Sequence, residues 1–238
     1  DKEEEVRRLI EENLKKIEEV IRELEKIIRD NLRKLEEVVR EIEEELETTL
    51  RLIETDGVSE EVLREVLKRV EDIMRKLRDV LREVRELHED VLRKVEEVLK
   101  DVKRLHEEVL KKLEDGLDLT KVLEELRRIN DKLLKKVKRV LELLEEINRR
   151  ALELVREVVE RLLRVIERLI DLLRRSGVDE DLLRKLKELL ETLKRRIDEI
   201  EKKLEEILKE TKDLIRRLLE KLKRIDEELR KTLEDLRR

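Results

Sequence analysis

The chain has 238 residues, enough for one or two domains with a sizeable core, and 54% of them are charged against 38% hydrophobic. It holds no Phe, Tyr, Trp, Pro or Cys, which excludes disulfides, thiolate chemistry and the common cysteine-based zinc sites. A net charge of −5 argues against a nucleic-acid footprint, and no apolar run approaches the roughly 18 residues of a membrane span.

The first predicted helix covers about 2–55. Its apolar stripe runs Val6, Ile10, Asn13, Ile17, Ile21, then Leu24, Ile28, Asn31, Leu35, Val39, then Ile42, Leu46, Thr49, Ile53. Each member recurs 18 residues later, and a flanking set (Leu9 and Ile27; Leu14, Leu32 and Leu50; Val20 and Val38) obeys the same rule. Eighteen residues make five turns of an unsupercoiled α-helix, so straight helices are expected. This segment is acidic: residues 1–56 carry 12 Lys/Arg against 20 Asp/Glu. Its charges fall on the predicted solvent face, with Glu11–Lys15, Glu12–Lys16 and Glu18–Arg22 at the i,i+4 spacing of modestly stabilising pairs.

Gly57 closes this segment as a C′ glycine, and Val58-Ser59 opens the next, with Ser59 as N-cap. The second helix, about 59–115, repeats Val66, Val84 and Val102; Val70, His88 and His106; Leu77, Val95 and Leu113. Gly116 and Leu117-Asp118 form the second junction, Asp118 being the cap. The third helix, about 118–175, repeats Leu126, Leu144 and Leu162, and Asn130, Asn148 and Ile166. It is basic, residues 119–175 carrying 16 Lys/Arg against 11 Asp/Glu, a bias that can help select which helices meet. Gly177 and Val178-Asp179 make the third junction, with Asp179 as cap; the fourth helix, about 179–237, repeats Leu186, Leu204 and Leu222, and Leu193, Thr211 and Leu229. At all three junctions the residue before the cap is aliphatic, and so is the residue four after it (Leu63, Val122, Leu183), the pattern of a hydrophobic staple. Such short, uniform connections imply antiparallel neighbours and an all-α, up-down-up-down four-helix bundle spanning 1–238.

In antiparallel neighbours numbering rises along one helix as it falls along the other, which aligns the polar members of the stripes. One layer is expected from Asn13, His106 and Asn130 with Leu229 opposite. A second is expected from Asn31, His88, Asn148 and Thr211, about 27 Å away. A third, nearly apolar, holds Thr49, Val70, Ile166 and Leu193, with Thr48 and Thr192 at its flanks. Neutral His and Asn both donate and accept, so such layers can satisfy themselves across a core. A mispaired layer leaves groups unsatisfied at about 1–3 kcal/mol each, which fixes register and pairing. With one His per layer and Asn a poor ligand for transition metals, no metal site is expected. No nucleophile, orienting group and cleft coincide, so no catalysis and no cofactor are expected either.

The palette itself is unusual. There is one Ala (Ala151), one Met (Met74), two Ser and no Gln, and at ordinary Pro usage a Pro-free chain of this length has a chance of roughly one in 10^5. Composition, uniform junctions and the 18-residue repeat together make the chain resemble de novo designed, parametric helical bundles with buried hydrogen-bond layers. The resemblance implies a synthetic structural scaffold: soluble, cytoplasmic if expressed in a cell, monomeric, with no nucleic-acid, membrane or small-molecule partner. A second reading is a conditional module, in which burial lowers the pKa of His88 and His106 so that protonation breaks the layers, or in which the fourth helix is displaceable. A third is an oligomer formed by pairing or swapping hairpins between chains, as a homodimer.

Overall fold

The computed structural model describes residues 1–55, 59–175, 177 and 180–237. Among these residues the chain is all-α, with no strand. The helices are α1 (Lys2–Thr55), α2 (Glu60–Glu114), α3 (Leu119–Arg175) and α4 (Glu180–Arg237). Gly57 and Asp179, expected at the first and third junctions, lie outside the described residues, as do Val58 and Val178 and the side chains of Ile53 and Leu193.

Each helix forms because strong helix formers fill its surface while one stripe repeats at the helical period. Every described member of the α1 stripe, from Val6 to Thr49, is buried, and so are the repeats in α2, α3 and α4 at Val66, Val84 and Val102, at Leu126, Leu144 and Leu162, and at Leu186, Leu204 and Leu222. Burial therefore holds the phase set by the 18-residue repeat through each helix.

At the end of α2 the chain turns as its residues require. Gly116 adopts φ +87°, Leu117 N–H donates to Lys112 O at 3.0 Å, and Gly116 N–H donates to Leu113 O at 3.2 Å. This is a Schellman arrangement, which satisfies carbonyls the helix end would leave orphaned. Leu117 packs on the cluster containing Val122, as a staple requires, and Val122 N–H closes the first turn of α3 on Asp118 O at 3.1 Å. Ser59 O plays the same part for Leu63 N–H at 2.9 Å, and Gly177 also has positive φ, at +69°.

The chain divides into two compact units, to each of which every helix contributes a segment. Unit 1 comprises Asp1–Asp30, His88–Glu146 and Glu210–Arg238; unit 2 comprises Asn31–Leu87 and Ile147–Lys209. In unit 1, Val6, Ile10, Val109, Leu113, Leu126, Ile129, Leu229 and Leu233 form a cluster fed by all four helices. In unit 2, Leu46, Leu77, Val158, Leu162, Ile166 and Leu204 belong to a larger one of the same kind. Around each core, ion pairs link helices. Unit 1 has Arg7–Glu114 (α1–α2), Lys112–Glu125 (α2–α3), Arg237–Glu124 (α3–α4) and Lys16–Glu228 with Lys221–Glu23 (α1–α4). Unit 2 has Arg85–Glu36, Lys76–Glu157, Arg156–Glu201 and Lys203–Glu41. Lys16, whose sequence partner is Glu12, reaches across to Glu228 at 2.9 Å.

Candidate functional site

Among the described residues, eight buried polar ones stand out against the aliphatic cores: Asn13, Asn31, Thr49, His88, His106, Asn130, Asn148 and Thr211. They are the polar members of the sequence stripes, and helical phase alone carries them inward.

In unit 1 the first layer is closed. Asn13 Nδ2 lies 2.9 Å from His106 Nε2 and donates to Asn130 Oδ1 at 2.9 Å, while Asn130 Nδ2 donates back to Asn13 Oδ1 at 2.9 Å. His106 Nδ1 is 2.7 Å from Val102 O, one turn earlier in α2. A carbonyl only accepts, so Nδ1 carries the proton and Nε2 of the neutral ring is an acceptor. With that tautomer one Asn13 amide hydrogen goes to the ring and the other to Asn130. The reciprocal amide pair joins α1 directly to α3, two helices that the stripes alone relate only through His106. Leu229 of α4 is buried in the neighbouring cluster and brings no polar group to this layer.

Burial disfavours the charged imidazole and pulls the His106 pKa below its ordinary 6.5, outweighing the Val102 carbonyl and the Glu18 carboxylate, both of which favour the proton. At neutral pH the ring is uncharged, as the hydrogen-bond pattern requires.

In unit 2, Asn31 Nδ2 donates to Asn148 Oδ1 at 2.6 Å and Asn148 Nδ2 returns the bond to Asn31 Oδ1 at 3.0 Å. The same reciprocal pair thus occurs in both units. His88 and Thr211, assigned by sequence to this layer, are buried residues of unit 1. Thr49 is buried, but its hydroxyl donates to Glu45 O of its own helix at 2.8 Å, so it satisfies itself locally. Thr48 and Thr192 do likewise with Glu44 O and Glu188 O. Val70 and Ile166 are buried in the unit 2 core.

Two carboxylates escape sequence reading. Charged residues are expected on solvent faces, yet the Asp226 side chain is only 15% exposed, with Oδ2 3.1 Å from Arg230 Nη2 and Oδ1 buried without a partner. Desolvation raises its pKa above the ordinary carboxylate value, against the Arg230 and Arg127 guanidiniums, with Asp131 and Glu227 adding to the rise. Glu41 Oε2 in unit 2 is likewise buried without a partner, while its Oε1 takes Lys203. The signal for Asp226 lies beside Ile225 at the edge of the α4 stripe, a position whose exposure depends on how closely α3 approaches.

Among the described residues no three His, Cys, Asp or Glu side chains group as metal ligands, and no helix is long and apolar enough to cross a membrane. The groove of about 310 Å³ between Lys138, Glu142 and Glu145 of α3 and Lys212 and Arg216 of α4 is open and rimmed by charged side chains. Compared with family models, with curated proteins and with solved structures, the chain matches none.

Proposed function

We propose that this chain is a designed structural protein, a single-chain bundle whose four helices run up-down-up-down and whose polar layers specify which helix faces which. The observation that carries this reading is the Asn13–His106–Asn130 layer, in which side chains from three helices bond one another across the core. The contacts within unit 1 support the antiparallel order, because residue numbers rise on one helix as they fall on the next: Arg7–Glu114 and Asn13–His106 on α1–α2, Lys16–Glu228 and Glu23–Lys221 on α1–α4. The Leu/Ile/Val palette, three look-alike junctions and absence of matching families support a designed origin. No reaction is assigned to it, and the proposed state in solution is a monomer without cofactor.

Light scattering at micromolar concentration tests the monomer, with one chain of 29.1 kDa expected. A mass of two chains would favour hairpins paired between copies. Register is tested separately by cross-linking: Cys at 7 and 114 is expected to be bridged within one chain by a short bis-maleimide, since the Arg7 and Glu114 side chains meet in unit 1. Failure to cross-link would sink the antiparallel α1–α2 pairing.

A further inference from the structure

The geometry of the first layer gives it a property that the role of fixing helix pairing does not require. With His106 neutral, Asn13 presents its amide nitrogen to the ring, and the two carboxamides face each other in a reciprocal pair. Protonation converts Nε2 from acceptor to donor, so it then opposes another donor 2.9 Å away. Turning Asn13 alone by a half-rotation about its last side-chain torsion would mend that contact. It would also set oxygen against oxygen and nitrogen against nitrogen in the Asn13–Asn130 pair. Turning both amides restores everything. Asn13 Oδ1 then accepts from Nε2–H and from Asn130 Nδ2, while Asn13 Nδ2 donates to Asn130 Oδ1.

We propose that the Asn13–His106–Asn130 layer is a buried proton-binding site with two hydrogen-bond polarities, interconverted by a concerted turn of both carboxamides. The two states contain the same bonds between the same side chains. Nδ1–H keeps the Val102 carbonyl in both, so the ring itself does not move. The charged state exchanges a neutral bond at Nε2 for a charge-assisted one, roughly twice as strong, which offsets part of the desolvation that opposes protonation. Protonation therefore reverses the layer and leaves it intact.

The surrounding charges set where this happens. On α1, Glu18 favours the charged ring. On α3 the charged residues flanking Asn130 are Arg127 and Asp131, and on α4 those flanking Leu229 are Asp226, Glu228 and Arg230; Arg230, Asp131 and Arg127 act on the Asp226 carboxylate, and Glu228 pairs with Lys16. On α2 itself, Lys103 and Glu107 flank the ring in sequence. Glu18 is the charge that acts on the imidazole, and it does so less strongly than burial.

Nuclear magnetic resonance of the ¹⁵N-labelled full chain tests this. His106 is to be distinguished from His88 by a His88→Leu variant. From pH 7.5 downward, the side-chain amide resonances of Asn13 and Asn130 are expected to shift with one midpoint, that of His106, below 6.5. The Asn13–His106 coupling through the N–H···N bond should vanish at that midpoint. Above it Nε2 carries no proton, and below it an Nε2–H signal protected from solvent should appear. In Asn13→Leu the charged ring loses the better acceptor, and its midpoint is expected to fall by about one pH unit. Asn130 resonances that stay still while His106 titrates would overturn the concerted turn. So would an Nε2–H that exchanges freely with water, which marks a layer that opens. A cross-linking failure at Arg7–Glu114 would count against the bundle register and leave these outcomes readable.

Discussion

Asn13 is the hub of its layer: both its amide hydrogens and its carbonyl oxygen are in use. Replacing Asn130 by Leu strands one Asn13 hydrogen and its oxygen in the core, and about 1–3 kcal/mol of stability should be lost per unsatisfied group. Replacing Asn13, His106 and Asn130 together by Leu removes every polar atom at once and is expected to leave stability equal or higher. Denaturant midpoints at pH 7.5 compare the two variants; a triple variant weaker than Asn130→Leu would count against the layer as a device that sacrifices stability for specificity. His106 fixes the sign of one pH effect. Its folded pKa lies below the 6.5 of the ordinary ring, so the unfolded chain binds the proton more readily. Its contribution is full above 6.5, declines as pH falls through that value and levels off below the folded pKa. His106→Leu should flatten stability over that window in equilibrium unfolding at stepped pH. Asp226 runs the other way. Its folded pKa is raised above 3.8, so its charge opposes folding as pH climbs through 3.8 and beyond. Asp226→Leu should raise the denaturant midpoint at pH 7, despite losing the half-exposed Arg230 pair, and this gain should disappear near pH 3.

At the scale of the element, junction chemistry and stripe burial make separable contributions. Gly116 holds φ +87° with nothing within 4 Å of where a Cβ would stand, so its replacement meets backbone strain and no clash. Gly116→Ala should cost about 1–2 kcal/mol, and D-alanine introduced there by chemical ligation should restore or exceed the parent stability. In α3, Leu126 is fully buried in the unit 1 core, and Leu126→Ala should cost about 2–5 kcal/mol by denaturant unfolding. The helices themselves were legible residue by residue. A strict 18-residue repeat with Gly at the breaks leaves no competing period, and the limits of α1 and α3 match the sequence reading to within a residue. The partner of Lys16 was not legible: Glu12 and Glu228 are both within reach of a long side chain, and the spacing of α1 from α4 chooses between them.

For the molecule as a whole, the sequence determined more than is usual. Period and phase turn Asn13, His106 and Asn130 inward, because burial of an aliphatic stripe allows a single rotation for each helix. The tertiary structure decided what those residues do to one another. Which nitrogen of His106 carries the proton follows from a 2.7 Å contact with Val102, and the direct Asn13–Asn130 pair follows from how closely α1 approaches α3. The desolvation of Asp226 likewise depends on helix separation at the edge of a stripe. Periodicity sets angles around a helix and levels along it. Hydrogen bonds and desolvation respond to distances of a few tenths of an ångström between helices, and only packing supplies those.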